Sequence, residues 1–160
     1  TLTGVYMRRT GEKQIEVYLQ EKVGGVFCIV DFDDFKQIND TYGHIVGDKV
    51  LANLAECMKQ IVQNNDVLMR LGGDEFGIFL PYVTNIEEAK EKIQRLFKQV
   101  RDCRVGEKES IRLSISLGGI IVDKGVESNY ETLYRKSDRL LYEVKKQGKC
   151  NWLVEKMTED

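Results

Sequence analysis

The sequence predicts a mixed α/β (α+β) domain with a central, mostly antiparallel sheet of about five strands, flanking helices and a β-hairpin. Short runs rich in β-branched and aromatic residues alternate with longer segments whose apolar residues recur every three or four positions. Two of the short runs stand close enough in the chain to form a hairpin. The 160 residues, 42% of them hydrophobic, suffice for one domain with its own core, and we expect a single domain over residues 1–160.

The elements of the first half follow in order along the chain. The pattern predicts a short helix over residues 12–22 and a strand over residues 26–30, where an apolar run without alternation is typical of burial on both faces. A second helical pattern runs over residues 46–61. Strands over residues 67–71 and 76–80 flank a four-residue turn, which predicts the hairpin.

Two capping boxes mark the helices of the second half. Thr84 to Glu87 and Ser128 to Glu131 both have the Ser/Thr-x-x-Glu pattern before an apolar helical segment. Between these helices, residues 111–117 alternate apolar and polar side chains, which predicts one strand. Asn151 to Val154 predict an edge strand.

Charge and cysteine usage indicate the kind of partner and the cellular compartment to expect. Lys and Arg number 24 against 26 Asp and Glu, a net charge of −2, which favours neither nucleic acid nor membrane contact as a function. Four widely spaced cysteines without a C-x-x-C pair are typical of a reducing cytosol, so we expect a cytoplasmic domain, whether or not a parent protein is anchored in a membrane. Because the chain starts at Thr1 instead of Met, we expect a fragment of a longer protein with an N-terminal sensory or regulatory region.

Three acids are the first candidates for chemistry. Asp31 directly follows the predicted buried strand, and Asp74 and Glu75 lie at the predicted hairpin tip. If strand end and tip meet at one edge of the sheet, their carboxylate oxygens suit Mg²⁺, which takes the rest of its shell from water and phosphate. Acids are also common in turns without any metal, because Asp favours turns and caps. The pattern by itself supports both interpretations equally.

A second group of polar residues suits a nucleotide. Asp33 and Asp34 precede a predicted helix start, where free N–H groups and Lys36 suit a triphosphate, unless one acid only caps the helix. Asn39 and Asp48 have the groups to read a guanine edge, because a carboxylate accepts two adjacent donors. Turn chemistry for Asn39 and helix-dipole compensation for Asp48 are the alternatives.

The remaining candidates also allow two interpretations. Gly72 and Gly73 either supply positive φ for the turn or let a nucleotide approach the backbone. Lys145 and Lys149, four residues apart on one predicted helix face, either bind phosphates or compensate the helix dipole. His44 is the one histidine, and a turn or packing role is the simpler interpretation.

Taken together, these residues resemble the GGDEF family of diguanylate cyclases. Four motifs carry the resemblance, in chain order: Leu2 to Gly4 with Arg8 and Arg9, residues 31–48, residues 72–76, and residues 137–142 with Lys145. The third is the name motif itself, Gly-Gly-Asp-Glu-Phe. Four ordered motifs at suitable separations cover nearly the whole chain, so the resemblance is specific.

The resemblance implies a fold like the palm of nucleotidyl cyclases, GTP as substrate and cyclic di-GMP as product. It implies that Asp31, the Phe32 carbonyl and Asp74 bind Mg²⁺ (or Mn²⁺), with Glu75 as a further acid. Asp74 would also take the proton from the attacking 3′-hydroxyl. The other implied site residues are Lys36, Lys145 and Lys149 at the phosphates, Lys36 also as a catalytic residue, Asn39 and Asp48 at guanine, and His44, Gly72 and Gly73 in the substrate pocket.

Because each domain of such an enzyme binds one GTP, the resemblance also implies a homodimer, transient or stable, during catalysis. The alternative is a catalytically degenerate module that binds GTP or cyclic di-GMP and signals through partners. The intact Asp31 and residues 72–76 favour the enzyme.

The chain departs from the family pattern at three positions. Met7 stands where Asn is usual, and Lys149 stands where Arg is common, which removes a bidentate donor for phosphate. Many members bind their product at an inhibitory Arg-x-x-Asp motif five residues before the glycine pair. That motif is degenerate here, because Gln63 replaces the arginine while Asp66 remains.

Overall fold

The computed structural model describes residues 5–106 and 111–158, so Leu2 to Gly4 of the opening motif lie outside the described residues. The middle of the sheet is formed by β2 (Gly25–Phe32) and β7 (Ile115–Val122), which pair antiparallel and are buried at every residue. Both faces of these strands are covered, which explains why their sequences are apolar runs without alternation.

The main sheet has six strands in the order β1 (Tyr6–Met7), β3 (Val67–Arg70), β4 (Glu75–Pro81), β2, β7, β8 (Trp152–Lys156). The three inner pairs are antiparallel, and the two edge pairs, β1 with β3 and β7 with β8, are parallel. The predicted mostly antiparallel sheet is therefore confirmed, with one strand more than expected. The extra strand, β1, has two residues and is too short to leave a periodic pattern.

The described residues form five helices: α1 (Arg8–Gln20), α2 (Phe35–Tyr42), α3 (His44–Lys59), α4 (Ile86–Asp102) and α5 (Tyr130–Lys146). In the described part of the chain, α2 is the helix that buries no residue. Across those same residues, no helix is both long and apolar enough to cross a membrane.

The helices divide between the two faces of the sheet. On one face, Val30 of β2 packs in a cluster with Leu54 of α3 and the buried residues of α4. On the other, Ile29 packs in a cluster with Ile15 of α1 and Leu133 of α5. Side chains alternate between faces along a strand, so β2 feeds both cores.

One close approach fixes the position of α5. A Cβ atom at Gly118 of β7 would overlap the backbone of Ser137 and Leu141, so this helix lies directly against the strand. The Ser137 hydroxyl also donates a hydrogen bond of 3.2 Å to the Phe27 carbonyl. Glycine on the strand and serine on the helix together set the height of α5 above the sheet.

Both capping-box predictions place the cap one residue too early. Asn85, not Thr84, is the N-cap of α4, and its amide oxygen accepts from two backbone N–H groups of the first turn at 2.8 and 3.3 Å. Asn129, not Ser128, caps α5 with one such bond of 2.8 Å. Asn caps as well as Ser or Thr does, so the point at which the backbone becomes helical decides between neighbours.

The predicted single strand over residues 111–117 is wrong. Ile111–Arg112 form β6, which pairs with β5 (Arg104–Val105) in a separate two-stranded sheet. At Ser114 the carbonyl accepts the N–H of Asp33 at 2.8 Å, and the hydroxyl donates to the Asp33 carboxylate at 2.7 Å. The polar groups of Ser114 are thus taken by Asp33, and the main ladder begins only at Ile115.

Candidate active site

The predicted metal-binding acids meet at one edge of the sheet. Asp31 lies two residues after Ile29, on the face covered by α1 and α5, and its cross-strand partner on β4 is Glu75. Directly paired residues of antiparallel strands project to the same face. The Asp74 carbonyl accepts a hydrogen bond of 3.0 Å from the Phe32 N–H, so the turn before β4 is joined to the end of β2.

Asp31 is buried at this edge, with 7% of its surface exposed. Lys145 donates a hydrogen bond to Oδ2, whereas Oδ1 is buried and has no hydrogen-bond partner among the described residues. Burial raises the pKa of Asp31, the Lys145 hydrogen bond opposes that rise, and the Asp74 charge adds to it. A buried carboxylate oxygen without a partner is costly unless a cation or water satisfies it.

These donors fit Mg²⁺. Within residues 5–106 and 111–158, no group of three or more Asp, Glu, His or Cys side chains is placed to hold a metal ion by itself. Mg²⁺ is usually bound by one or two carboxylates, with the rest of its shell from water and substrate phosphates. Asp31, the Phe32 carbonyl and Asp74 are oxygen donors of that kind, and a cation would satisfy the unpartnered Oδ1 of Asp31.

Glu75 is held by a residue that the sequence did not single out. The Tyr134 hydroxyl on α5 donates a hydrogen bond of 3.1 Å to Oε1 of Glu75. Burial raises the pKa of Glu75, the Tyr134 hydrogen bond opposes the rise, and the Asp31 charge adds to it. A tyrosine at an apolar helical position is ordinarily core, so the sequence carries no signal for this contact.

Glu75 also differs from its predicted place at the hairpin tip. It is the first residue of β4, and its carbonyl accepts the N–H groups of Leu71 at 2.8 Å and Gly72 at 3.2 Å. The turn therefore covers residues 71–74. Pairing with Asp31 extends the ladder by one residue and brings Glu75 into the acid cluster.

The glycine pair does not serve the turn through positive φ. Neither Gly72 nor Gly73 adopts positive φ, so that interpretation is wrong. A Cβ atom at either position would meet no heavy atom of the described residues within 4 Å. Arg70 donates to the Gly72 carbonyl at 3.1 Å and to the Gly73 carbonyl at 2.6 Å. The turn is held from the carbonyl side while the space beside its Cα atoms stays open.

The two acids before α2 do not cap it. Asp34 occupies the N-cap position in the left-handed region (φ 58°), but no side chain of the described residues caps the helix there. Its carboxylate instead pairs with Lys149 at 2.7 Å. Asp33 is buried, and its carboxylate accepts hydrogen bonds at 2.7, 2.7 and 3.1 Å from the Ser114 and Ser116 hydroxyls and the Cys150 N–H. Among the described residues, no side chain therefore caps the N–H groups at the start of α2.

The predicted nucleotide readers lie on α2 and α3. Lys36 is exposed in the first turn of α2, and His44 and Asp48 are exposed near the start of α3. The Asn39 amide oxygen is buried and finds no hydrogen-bond partner in the described part of the chain. A Cβ atom at Gly47 would overlap that oxygen, so the glycine makes room for it. Asn39 is the second site residue with an unsatisfied buried oxygen.

The two predicted phosphate lysines do not share a helix. Lys145 lies in the last turn of α5, but Lys149 lies beyond its end at Lys146, in the left-handed region (φ 66°), so the argument from helical spacing is wrong. Burial lowers the pKa of Lys145, but the Asp31 hydrogen bond and charge outweigh it, and Asp34 raises the pKa of Lys149. Lys145 reaches Asp31 from the last turn of α5. The Lys149 N–H donates to the Val144 carbonyl of that helix at 3.1 Å, and the Lys149 side chain pairs with Asp34.

The degenerate inhibitory motif forms a closed turn. The Gln63 N–H donates to the Asp66 carboxylate at 2.8 Å, and the Asp66 N–H donates to the Gln63 carbonyl at 3.0 Å. The turn borders a cavity of about 470 Å³ that Tyr82 and Lys92 also line. Asp66 is therefore already engaged with its own turn.

Comparison with known proteins agrees with this geometry. The family model for the diguanylate cyclase GGDEF domain matches residues 1–151. Diguanylate cyclase DgcP of Pseudomonas aeruginosa is 33% identical in an alignment of 155 residues that covers 92% of this chain and 22% of DgcP. Probable diguanylate cyclase DgcT of Escherichia coli is 30% identical in an alignment of 158 residues that covers 96% of this chain and 34% of DgcT. The chain thus spans about a third or less of these relatives.

A solved structure shows the same architecture. The diguanylate cyclase SiaD of Pseudomonas aeruginosa, solved with its activator SiaC, superposes with a TM-score of 0.88 at 28% identity, over 96% of this chain and 60% of SiaD. The six-stranded sheet with flanking helices is the palm-like fold of cyclases that the sequence motifs implied. By its family match, its relatives and its fold, the chain belongs to the GGDEF-domain family of diguanylate cyclases.

Proposed function

We propose that this domain is an active diguanylate cyclase, which condenses two GTP molecules into cyclic di-GMP. In each of two steps, the 3′-oxygen of one GTP bonds to the α-phosphorus of the other, and the bond from that phosphorus to pyrophosphate breaks. The observation that carries the proposal is the buried, unpartnered Oδ1 of Asp31 beside the Asp74 turn. Family membership supports the same reaction.

The acids at the edge of the sheet bind the cation and accept the proton of the attacking hydroxyl. Bound by Asp31, the Phe32 carbonyl and Asp74, with Glu75 as a further acid, Mg²⁺ (or Mn²⁺) would lower the pKa of the hydroxyl and neutralise charge on the phosphates. Asp74 takes the proton from the attacking 3′-hydroxyl, because it lies in the same turn as the two glycines and its charge acts on Asp31. Gly72 and Gly73 leave room there for the nucleotide.

Three lysines bind the triphosphate. Lys145 and Lys149 pair with Asp31 and Asp34, so each lies at the edge of the sheet where phosphates would arrive. Lys36 lies in the first turn of α2, whose N–H groups add partial positive charge. These cations stabilise the charge that builds on the leaving pyrophosphate. Lys36 acts as a catalytic residue in this way.

Guanine binds between α2 and α3. The unsatisfied Asn39 oxygen accepts from the base, and the exposed Asp48 carboxylate accepts from the two adjacent donors of the guanine edge. His44, exposed at the start of α3, borders the same pocket. Adenine lacks that donor edge, so these groups select GTP.

Ring closure requires two domains, each with one GTP, facing each other as a homodimer that is transient or stable. Each domain then supplies one nucleophile and one α-phosphate. All four cysteines are free thiols, which agrees with a cytoplasmic location beside the GTP supply.

Product identification tests the proposal directly. The domain, alone and fused to a dimerising coiled coil, is incubated with GTP and Mg²⁺, and nucleotides are identified by mass spectrometry, with a chelator as control. We expect cyclic di-GMP with two pyrophosphates per ring, and none when the chelator is present. A folded, dimerised domain that binds GTP and forms no cyclic product would instead support the degenerate binding module.

A further inference from the structure

We infer that Tyr134 is a positioning residue for the divalent-cation site: its hydroxyl holds one oxygen of Glu75 against α5 and leaves a single oxygen of that acid for the cation. This inference rests on the proposed function, which supplies the cation site. Tyr134 lies outside the four sequence motifs, and it reaches Glu75 from 59 residues away in the chain.

The ring of Tyr134 is fixed from two sides. The Arg8 guanidinium carbon lies 5.1 Å from the ring centroid, within cation–π distance, and the Tyr130 ring centroid lies 6.0 Å away. Arg8 is itself held by the Glu12 carboxylate at 2.9 Å and by the Leu71 carbonyl at 3.5 Å. A ring held in this way gives its hydroxyl a defined position.

Two donors on α5 hold the two neighbouring acids. Lys145 binds Oδ2 of Asp31, and Tyr134 binds Oε1 of Glu75, its cross-strand partner. Over the described ranges, Glu75 makes no other side-chain hydrogen bond, so each acid has one oxygen engaged by the helix and one that α5 leaves unbound. Like charges on adjacent strands repel, and fixed donors keep both carboxylates in one arrangement before a cation binds.

The contribution of Tyr134 is indirect, because its hydroxyl touches the acid and not the cation. Groups that hydrogen-bond a ligand fix its orientation, and their loss typically weakens metal binding by about 10–100-fold. Phenylalanine keeps the ring between Arg8 and Tyr130 and removes only the hydroxyl. Tyr134→Phe therefore separates the hydrogen bond from the packing.

The test measures Mn²⁺ affinity by electron paramagnetic resonance with 3′-deoxy-GTP, which lacks the attacking hydroxyl and cannot turn over. We expect Tyr134→Phe to weaken Mn²⁺ binding about tenfold. In a domain that already carries Glu75→Gln, we expect Tyr134→Phe to weaken Mn²⁺ binding little further. Tyr18→Phe is the matched control, because it also removes a tyrosine hydroxyl bond, 2.7 Å to the Asn65 carbonyl. That control should bind Mn²⁺ as the unsubstituted domain does. Thermal unfolding verifies that each variant is folded.

The outcomes separate this inference from the proposed function. Unchanged Mn²⁺ affinity in folded Tyr134→Phe, an equal loss with and without Glu75→Gln, or no Mn²⁺ binding by the folded domain would each overturn it. If Tyr134→Phe weakens Mn²⁺ binding only while Glu75 is present, but the domain forms no cyclic di-GMP, the positioning role stands and the cyclase proposal fails. If the domain forms cyclic di-GMP, but Tyr134→Phe weakens Mn²⁺ binding equally with and without Glu75→Gln, the cyclase proposal stands and the positioning role fails.

Discussion

Lys145 donates a hydrogen bond to one oxygen of Asp31, and the other oxygen of that carboxylate is buried without a partner in the described part of the chain. Lys145 thus pairs with a buried carboxylate. We expect Lys145→Met to lower the free energy of unfolding by about 1–2 kcal/mol. A fully buried pair would lose more, but the Lys145 side chain is 39% exposed, so solvent screens it. Urea unfolding measures this, and millimolar Mg²⁺ should restore part of the loss.

Lys149→Met is the control for that substitution. Its pair with Asp34 has side chains 44% and 56% exposed, and such surface pairs contribute about 0–1 kcal/mol. Equal destabilisation by both variants, or no response of Lys145→Met to Mg²⁺, would show that Asp31 does not need a cation.

Asp74→Ala should abolish turnover and leave the fold intact. The bond that joins the turn to β2 uses the Asp74 backbone carbonyl, which alanine keeps. The carboxylate is proposed to be both metal ligand and base, and losing such a group removes several kcal/mol of transition-state stabilisation, a rate loss of at least about 10³-fold. Product formation from GTP is measured beside thermal unfolding. A folded variant with near-normal activity would show that Asp74 is neither the metal ligand nor the base of the reaction.

Gly47→Ala should reduce the preference for GTP over ATP. A Cβ atom there overlaps the Asn39 oxygen and must displace the amide that is proposed to contact guanine. Sites built to hydrogen-bond a substrate group reject analogues lacking it by about 10⁴-fold in the best cases, so a displaced amide should cost GTP about tenfold in affinity and ATP little. Nucleotide titration with Mg²⁺ compares the variant with Lys49→Ala, an exposed change on α3. Equal affinity of the unsubstituted domain for both nucleotides would contradict the proposed pairing.

Activity per domain should rise with protein concentration. Each domain is proposed to supply one GTP, so the rate depends on encounters between domains, and the isolated domain should be a poor enzyme when dilute. Fusion to a dimerising coiled coil raises the effective concentration and should raise the rate further. Rates are measured across a dilution series, and the mass of the protein in solution is determined in parallel to tell monomer from dimer. A constant rate in a proven monomer would contradict the need for two domains.

Product inhibition through residues 63–66 should be weak or absent, and Gln63→Arg should strengthen binding of cyclic di-GMP. The Asp66 carboxylate is engaged by the Gln63 N–H, and glutamine offers no charge to the two phosphates of the product. An arginine would add a planar, charged donor beside the cavity. Calorimetry with cyclic di-GMP compares both forms. Tight binding by the unsubstituted domain that disappears in Asp66→Ala would prove this expectation wrong.

The sequence predicted those site contacts that depend on strand ends and turns. The end of β2 and the turn before β4 come together at the edge of the sheet, where Asp31 pairs with Glu75 and the Phe32 N–H donates to the Asp74 carbonyl. An apolar strand that ends and a hairpin that turns are both local signals. The contacts it missed join distant segments. Tyr134 reads as core, and nothing near Ser114 indicates that Asp33 will interrupt its strand. Helical spacing predicts Lys149 on α5, but the helix ends before it. The Lys149 N–H turns back to the Val144 carbonyl, and its side chain pairs with Asp34, a contact that no local pattern indicates.

The close fit of α5 on Gly118 limits which sequences can keep this site. A methyl group at that strand position would push against helix backbone, which cannot yield as a flexible side chain does. The Ser137 hydrogen bond holds the same stretch of helix, so α5 would have to shift as a body. Tyr134 and Lys145 would travel with it, away from Glu75 and Asp31. A substitution at Gly118, which lies outside every motif, would therefore disrupt the candidate site while the residues of all four motifs stay unchanged.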